Sequence, residues 1–488
     1  YKEAIRRWDE ALELDPENPE VHTLVAGAWD RLGETAAAFD HLYKAIGKNP
    51  RHALAHNYIA YLYRYESKRQ KALEHARLAC DFGPNDFRCF VTLGNAYADL
   101  HNYQRAKEAF QRASRIKKDD HRALNNLANV HKSLGELETA LEIYDRVDQL
   151  SDDDCAAYSN KIFTLHYDPN ATSEYITEVC WGWENRFAKN RSYNRPIAAD
   201  QRADRTIRIG LFSDGFRRHP VGYMITSAIR QLKNHKIELH FYNANSDEDD
   251  ITRDLKSSAQ TWKEVRHLSD NGFCELIAAD QIDVLLDLAG HNSGNRMLAL
   301  MSEPAPLIVK WVGGLINTTG IEAINYLISD SVETPVGVDA DFTEKIIRLP
   351  DDYICYDPPK HAPAVGSLPA LRNGFITFGC FNNPTKVNRE VLFQWAKLLR
   401  DIDGAHLYLK GLQFNDIQLT QRVRDTLEEF GVAPELIRIE GPSVHGELLR
   451  CYNEVDIALD PWPYSGGLTT CEALLMGVPV VTLPGPTF

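Results

Sequence analysis

Several signals that would settle a function class at once are missing. The nine cysteines (Cys80, Cys89, Cys155, Cys180, Cys274, Cys355, Cys380, Cys451 and Cys471) never fall into a Cys-x-x-Cys pair. That spacing excludes a common zinc site and a disulfide framework, and it fits a reducing cytoplasmic setting. No apolar run approaches the roughly 20 residues that a membrane span needs. Positive charge is scarce, with 54 Lys and Arg against 69 Asp and Glu and a formal charge of −15. A nucleic-acid partner needs a clustered basic face and is not expected, although one local site can still be positive inside an acidic protein. What is present is a globular composition, 44% hydrophobic and 25% charged over 488 residues, enough for two to four domains. The chain opens at Tyr1 inside a helix-like stretch and stops at Phe488 just after a strand-like one, so further residues are expected at both ends.

Written at a period of 34, the first third aligns with itself. Alanine recurs at Ala4, Ala38, Ala72, Ala106 and Ala140, and again at Ala11, Ala45, Ala79 and Ala113, followed by Val147. Small residues recur at Ala26, Ala60, Gly94 and Ala128, rings at Trp29, Tyr63, Tyr97 and His131, and Pro16, Pro50 and Pro84 close successive units. Small residues let antiparallel helices approach, rings fill the gaps, and proline stops the second helix of each pair. The pattern resembles the tetratricopeptide repeat and predicts an α-solenoid over 1–151, with four full units preceded by half of another. Such arrays present a concave surface to partners, so protein or peptide acceptors are expected along the groove. Asn95, Asn125, Asn126 and Asn129 could bond an extended peptide there, or could equally be solvated or capping residues.

Residues 152–204, with turns at Asp152–Asp154 and Asp168–Asn170 and a helix-like stretch Ser173–Lys189, read as a helical bridge. From Thr206 short β-rich runs alternate with helix-length segments. The first set is Ile207–Ser213, Ile237–Tyr242, Ile282–Leu288, Leu307–Val312 and Tyr326–Ser329. A second follows the proline-rich stretch Pro358–Pro369: Phe375–Phe381, His406–Leu409, Ile437–Ile439, Val455–Leu459 and Pro479–Leu483. Runs of this kind predict parallel sheets built from βαβ units. Two Rossmann-like domains are expected, over 205–357 and 375–488, joined by a linker at 358–374 and facing each other across a cleft. Ligands in such folds sit at the carboxyl ends of the strands.

The segment Asp460 to Thr482 reads strand, glycine turn, helix, strand. Gly466 and Gly467 permit close backbone approach, and Thr469 and Thr470 sit where the helix begins. Backbone N–H groups, hydroxyls and the helix dipole there suit a diphosphate. Glu472, about one turn in, could take a ribose diol. The same residues also describe an ordinary capped helix after a structural turn, and the spacing does not separate the two.

This segment resembles the donor-binding motif of the O-GlcNAc transferase family, GT-B glycosyltransferases that carry tetratricopeptide repeats. Arg208–Gly222 resembles the family's first strand and its His-Pro turn. Asp287–Arg296, with Pro304–Pro306 and Trp311, resembles a later strand end, and Phe381–Lys386 the phosphate-binding lysine segment. The resemblance runs over essentially the whole chain in the same domain order. It implies that Lys386 contacts the donor diphosphate and stabilises the leaving group, and that Asn383 contacts the donor. It implies that Thr469 and Thr470 hold phosphates, that Glu472 holds the ribose, that His219 lies beside phosphate and acceptor hydroxyl, and that His291 lines the cleft. Gly467, where animal relatives have a histidine and bacterial ones a glycine, belongs to the same donor-binding set. Leu448 stands in place of a histidine that packs on the donor base, with His445 one turn earlier. In Gly313–Gly320 the loop is one residue longer than the family's usual form.

The implied reaction is inverting transfer of GlcNAc from UDP-GlcNAc to protein Ser or Thr. No cofactor or metal is expected, because Lys386 and the helix start at Thr469–Glu472 can stabilise the departing diphosphate without one. Asp339-Ala-Asp341 is a DxD that could bind a metal in another glycosyltransferase fold, but here it lies in a polar loop between strands. Thr469–Glu472 resembles as well the plant relatives that use GDP-fucose, so a protein O-fucosyltransferase is the alternative donor reading. A degenerate, non-catalytic repeat scaffold is the alternative of another class.

Overall fold

The computed structural model describes residues 1–188, 195–198, 200, 202, 204–232, 235–314 and 317–485. Lys189, the end of the expected bridge helix, and Leu315 and Ile316 of the long loop lie outside the described residues. The chain divides into two compact units, Tyr1–His131 and Lys132–Phe488.

The first unit is helical: α1 (Lys2–Leu14), α2 (Pro19–Arg31), α3 (Thr35–Lys48), α4 (Ala53–Tyr65), α5 (Arg69–Phe82), α6 (Phe87–Asp99), α7 (Tyr103–Ile116) and the start of α8 (His121–Ser133). Helix α2 packs on α3, α4 on α5 and α6 on α7. The in-register alanines Ala38, Ala72, Ala106, Ala45, Ala79 and Ala113 are fully buried between them. Gly94 takes the place of an alanine because Phe110 fills the space; a Cβ there would lie 2.6 Å from its ring. Asn95, Asn125, Asn126 and Asn129 are half-buried, and Asn129 approaches Asn125 at 3.5 Å.

Two further series follow the same period. Asn18, His52, Asp86 and Asp120, each 34 residues after the last, accept from backbone N–H groups at the starts of α2, α4, α6 and α8 at 3.0–3.1 Å. They satisfy donors that a helix start leaves unpaired. The pairs His22–His41 and His56–His75 each meet Nδ1 to Nδ1 at 3.0 Å. The Nε2 atoms of His22 and His56 reach the carbonyls of Pro16 and Pro50.

The second unit continues with α9 (Leu137–Leu150), α10 (Cys155–Leu165) and α11 (Ser173–Phe187) and then alternates. Its first part runs β1 (Ile207–Ser213), α12 (Pro220–Leu232), β2 (Ile237–Asn243), α13 (Asp250–Ser258), β3 (Thr261–Glu264) and α14 (Asp270–Ala279). There follow β4 (Val284–Asp287), α15 (Met297–Leu300), β5 (Leu307–Trp311), β6 (Tyr326–Asp330) and β7 (Lys345–Leu349). After α16 (Pro369–Asn373) come β8 (Thr377–Cys380), α17 (Arg389–Asp401), β9 (His406–Lys410), α18 (Ile417–Glu429) and β10 (Ile437–Glu440). The last elements are α19 (His445–Cys451), β11 (Ile457–Leu459), α20 (Leu468–Leu475) and β12 (Val480–Val481).

Both sheets are parallel. The first has the order β3-β2-β1-β4-β5-β6-β7 and the second β10-β9-β8-β11-β12. Each reverses its winding once, between β1 and β4 and between β8 and β11, and the crevice at such a switch point is where doubly wound sheets bind ligands. Strands β3 and β7 were not among the expected runs. Both lie at sheet edges, where one flank is solvated and the near-continuous apolar signal of a central strand is absent.

Helices α10 and α11 lie within the core of the first sheet. Ile162, Ile176, Cys180 and Trp183 share one buried cluster with Phe212, Phe273, Leu285 and Ile308. The stretch expected as a bridge thus covers one face of that sheet. Tyr464, from the second sheet's glycine turn, joins the same cluster and meets Tyr167 with ring centroids 5.0 Å apart.

Candidate functional site

After β8 the chain runs Phe381-Asn382-Asn383 into a single tight turn, Pro384–Lys386. Asn383 caps it, its Oδ1 accepting from Thr385 N at 3.0 Å and from Gln413 Nε2 at 2.5 Å. Gly411 gives the turn room, since a Cβ there would lie 2.7 Å from Pro384. The turn sends Lys386 inward. Its ammonium donates to the Ser465 carbonyl at 2.6 Å and to Asn382 Oδ1 at 3.2 Å, and lies 4.2 Å from the centroid of the Tyr464 ring. Burial pushes this lysine down to about 8, while Asp460 pulls it upward.

After β11 the chain enters the glycine turn, and Asp460 organises it. Its carboxylate accepts from Gly466 N at 2.8 Å, from Asn382 Nδ2 at 3.2 Å and from the Thr482 hydroxyl at 2.9 Å. Burial raises the Asp460 carboxyl above its ordinary value, opposed by the Thr482 hydroxyl and Lys386. A Cβ on Gly466 would fall 2.7–2.8 Å from the Thr469 and Thr470 hydroxyls and Asp460, so close packing, not a left-handed φ, demands glycine there. Helix α20 starts immediately after Gly467, its N-cap. Asn382 ties the two segments together, accepting from both Lys386 Nζ and the Thr469 hydroxyl.

From the first sheet, β1 leads to His219 at the entry to α12. Its Nδ1 accepts from Val221 N at 3.3 Å, so the neutral ring carries its proton on Nε2. Burial lowers its pKa, against Asp214.

A cavity of about 550 Å³ brings these pieces together; His219, Asn383, Lys386, Gly467 and Thr469 all line it, with Asn292 and Tyr464. Three expected residues do not. The Thr470 hydroxyl turns back to the Gly466 carbonyl at 2.9 Å and lines a separate cavity of about 730 Å³ behind the turn. Glu472 is buried, with Oε1 2.7 Å from Nε2 of His445. Nδ1 of His445 meets His361 at 2.8 Å and the Tyr223 hydroxyl at 3.2 Å, a chain joining α12, the linker, α19 and α20.

The expectation for His291 needs correction. It does not line the cleft but is buried, bonding Ser159 Oγ at 3.1 Å and the Thr319 carbonyl at 2.8 Å. Burial holds it down to about 4, so it is a neutral structural imidazole, and the following Asn292 reaches the cavity instead. Asp339 is equally committed, to Arg348 at 2.7 Å. Asn382 and Asp460 were not singled out in the sequence; an acid one residue past a strand and just ahead of a glycine turn was the available signal.

The model for glycosyl transferase family 41 matches residues 177–366, and a tetratricopeptide repeat model matches 1–53 and 91–154. A solved O-GlcNAc transferase of Thermobaculum terrenum, a variant with a lysine replaced by methionine, superimposes with a TM-score of 0.84. It is 31% identical and the alignment covers 88% of this chain and 82% of that one. The chain belongs to glycosyltransferase family 41. Its two parallel-sheet domains make the GT-B-like arrangement of that structure. Among curated relatives, the probable UDP-N-acetylglucosamine–peptide N-acetylglucosaminyltransferase SPINDLY of Hordeum vulgare is 32% identical over 336 residues, 67% of this chain and 35% of the relative. The SPINDLY protein of Arabidopsis thaliana is 32% identical over 337 residues, 67% of this chain and 36% of the relative. The chain thus spans about a third of the length of these relatives. No helix among the described residues is long and apolar enough to cross a membrane.

Proposed function

We propose that this chain transfers N-acetylglucosamine from UDP-GlcNAc to Ser or Thr hydroxyls of proteins, with inversion and without a metal ion. The reading is carried by one convergence: the Lys386 ammonium and the amino end of α20 meet at the Gly466–Gly467 turn, on a cavity that His219 also lines. A departing nucleoside diphosphate carries the largest charge change of the reaction, and a buried ammonium beside a helix N-terminus is suited to stabilise it. The acceptor oxygen attacks the anomeric carbon as the bond to the diphosphate breaks, and the diphosphate leaves with that electron pair. The acceptor proton needs a base. His219 engages its basic Nδ1 with Val221 N–H, so it is a hydrogen-bond donor into the site, and a phosphate oxygen of the leaving group takes the proton. The names of the curated relatives support the sugar and the peptide acceptor, and the repeat array supports acceptor capture along its groove.

Titration with UDP and with GDP, followed by a mass-spectrometric search for hexosamine on acceptor peptides, tests the reading. UDP binding together with a HexNAc adduct is expected. Preference for GDP with a deoxyhexose adduct would replace the donor, and binding of neither nucleotide would leave a repeat scaffold.

A further inference from the structure

Lys310 is a second buried lysine, and the reaction just described makes no use of it. It stands on β5 in register with Asp287, the last residue of β4. Asp287 is fully buried and Lys310 is 1% exposed. Each ion serves the loop that follows its own strand. The Asp287 carboxylate accepts from Ala289 N at 3.2 Å and Gly290 N at 2.9 Å. The Lys310 ammonium donates to the carbonyls of Val312 and Gly313. The two loops interlock: a Cβ on Gly313 would lie 1.8 Å from the Leu288 carbonyl, one on Gly314 2.9 Å from that of Ala289, and one on Gly290 2.9 Å from Lys310 Cε.

The second loop holds a costly conformation. Val312, Gly313 and Gly314 have φ of +38°, +60° and +72° in succession. A β-branched residue adopts that region only when its surroundings impose it. The loops end at the cavity, where Asn292, Val312, Gly313 and Gly314 form wall together with Lys386 and Gly467.

We propose that Lys310, in register with Asp287, is a positioning residue for the transfer: it holds the first sheet's wall of the cavity at the place the reaction requires. The proposal rests on the transferase reading above. Its ammonium touches no substrate; it acts through the Val312–Gly314 backbone. A wall displaced by about 1 Å costs on the order of 10² in rate when it orients the reacting groups. The contacts of Lys386 and α20 to the diphosphate come from the second sheet and stay intact.

The test is Lys310→Met in the full chain, read by turnover at saturating donor, by UDP affinity, and by deuterium uptake of the backbone over 307–314. Expected are a fall in turnover of about 30-fold or more, UDP affinity within threefold of the parent, and faster exchange over 307–314. Turnover within threefold of the parent would overturn the proposal, and so would UDP affinity falling in step with turnover. Should the lone Asp287 charge prevent folding, D287N/K310M removes both ions and is judged by the same criteria. If the parent itself neither binds UDP nor transfers, the transferase reading fails. Deuterium uptake still judges Lys310 in that case, and unchanged exchange over 307–314 would refute its role.

Discussion

The two sheets of the second unit treat a buried lysine in opposite ways. Both lysines are pushed down to about 8 by burial, and both sit near the carboxyl end of a parallel strand. Lys310 lies within β5 and directs its ammonium at the two carbonyls of the next loop. Lys386 lies one turn beyond β8, donates to the Ser465 carbonyl and the Asn382 amide, and also lines the cavity. A few residues of chain past the strand end therefore separate a cation that builds a wall from one that can meet a ligand. A low-pKa buried lysine marks a functional region without naming the role; the groups around its Nζ name it.

The largest expected effect comes from breaking the second sheet's half. Lys386→Met lowers turnover by about 10²–10³ while circular dichroism shows the fold retained, and near-normal turnover would remove the basis of the proposed function. Next comes Asp460→Asn, which weakens its hold on Gly466 N, Asn382 and the Thr482 hydroxyl. With charged hydrogen bonds worth about 1.5–3 kcal/mol each, UDP affinity should fall by about tenfold or more, measured by calorimetry. An unchanged affinity would show that the turn keeps its shape without that carboxylate.

Acid sharpens the contrast from the first sheet's side. His166 and His291 are both buried and held down to about 4. The unfolded chain binds protons near pH 6.5 where the native state does not, so stability is full above that value and lost as pH falls toward about 4. The loss is on the order of a few kcal/mol per histidine, read as a falling Tm, and His166→Asn should flatten that slope. The smallest effect on transfer belongs to Gly94→Ala in the repeats. Its Cβ would press on Phe110, costing about 1–3 kcal/mol of local stability. Turnover on a short peptide should stay unchanged, and a comparable loss of turnover would tie the array to the chemistry itself.

Much of this was legible in the order of residues, because repeats and strand-ends are local. A 34-residue period determines which helix positions must be small, since each unit stacks only on its neighbours. The continuous apolar runs of central parallel strands determine where sheets form. Short segments after β8 and β11 carry their lysine, glycines and threonines in a recognisable order. The edge strands β3 and β7 carry charged residues within their short runs and have no such mark. Neither do the Asn18, His52, Asp86 and Asp120 caps, which vary in type while keeping their place.

What tertiary structure alone decided is where individual side chains point. His291 and Asn292 are neighbours in the chain, yet one is sealed between Ser159 and Thr319 and the other faces the cavity. Thr469 and Thr470 diverge in the same way, and Glu472 meets His445 rather than the cavity. The register of β4 with β5 brings Asp287 beside Lys310 across 23 positions of sequence. Hydrogen-bond partners and electrostatic neighbours from distant segments set these outcomes, and burial makes each of them costly to leave unmet. Composition and periodicity record only what one segment requires of itself.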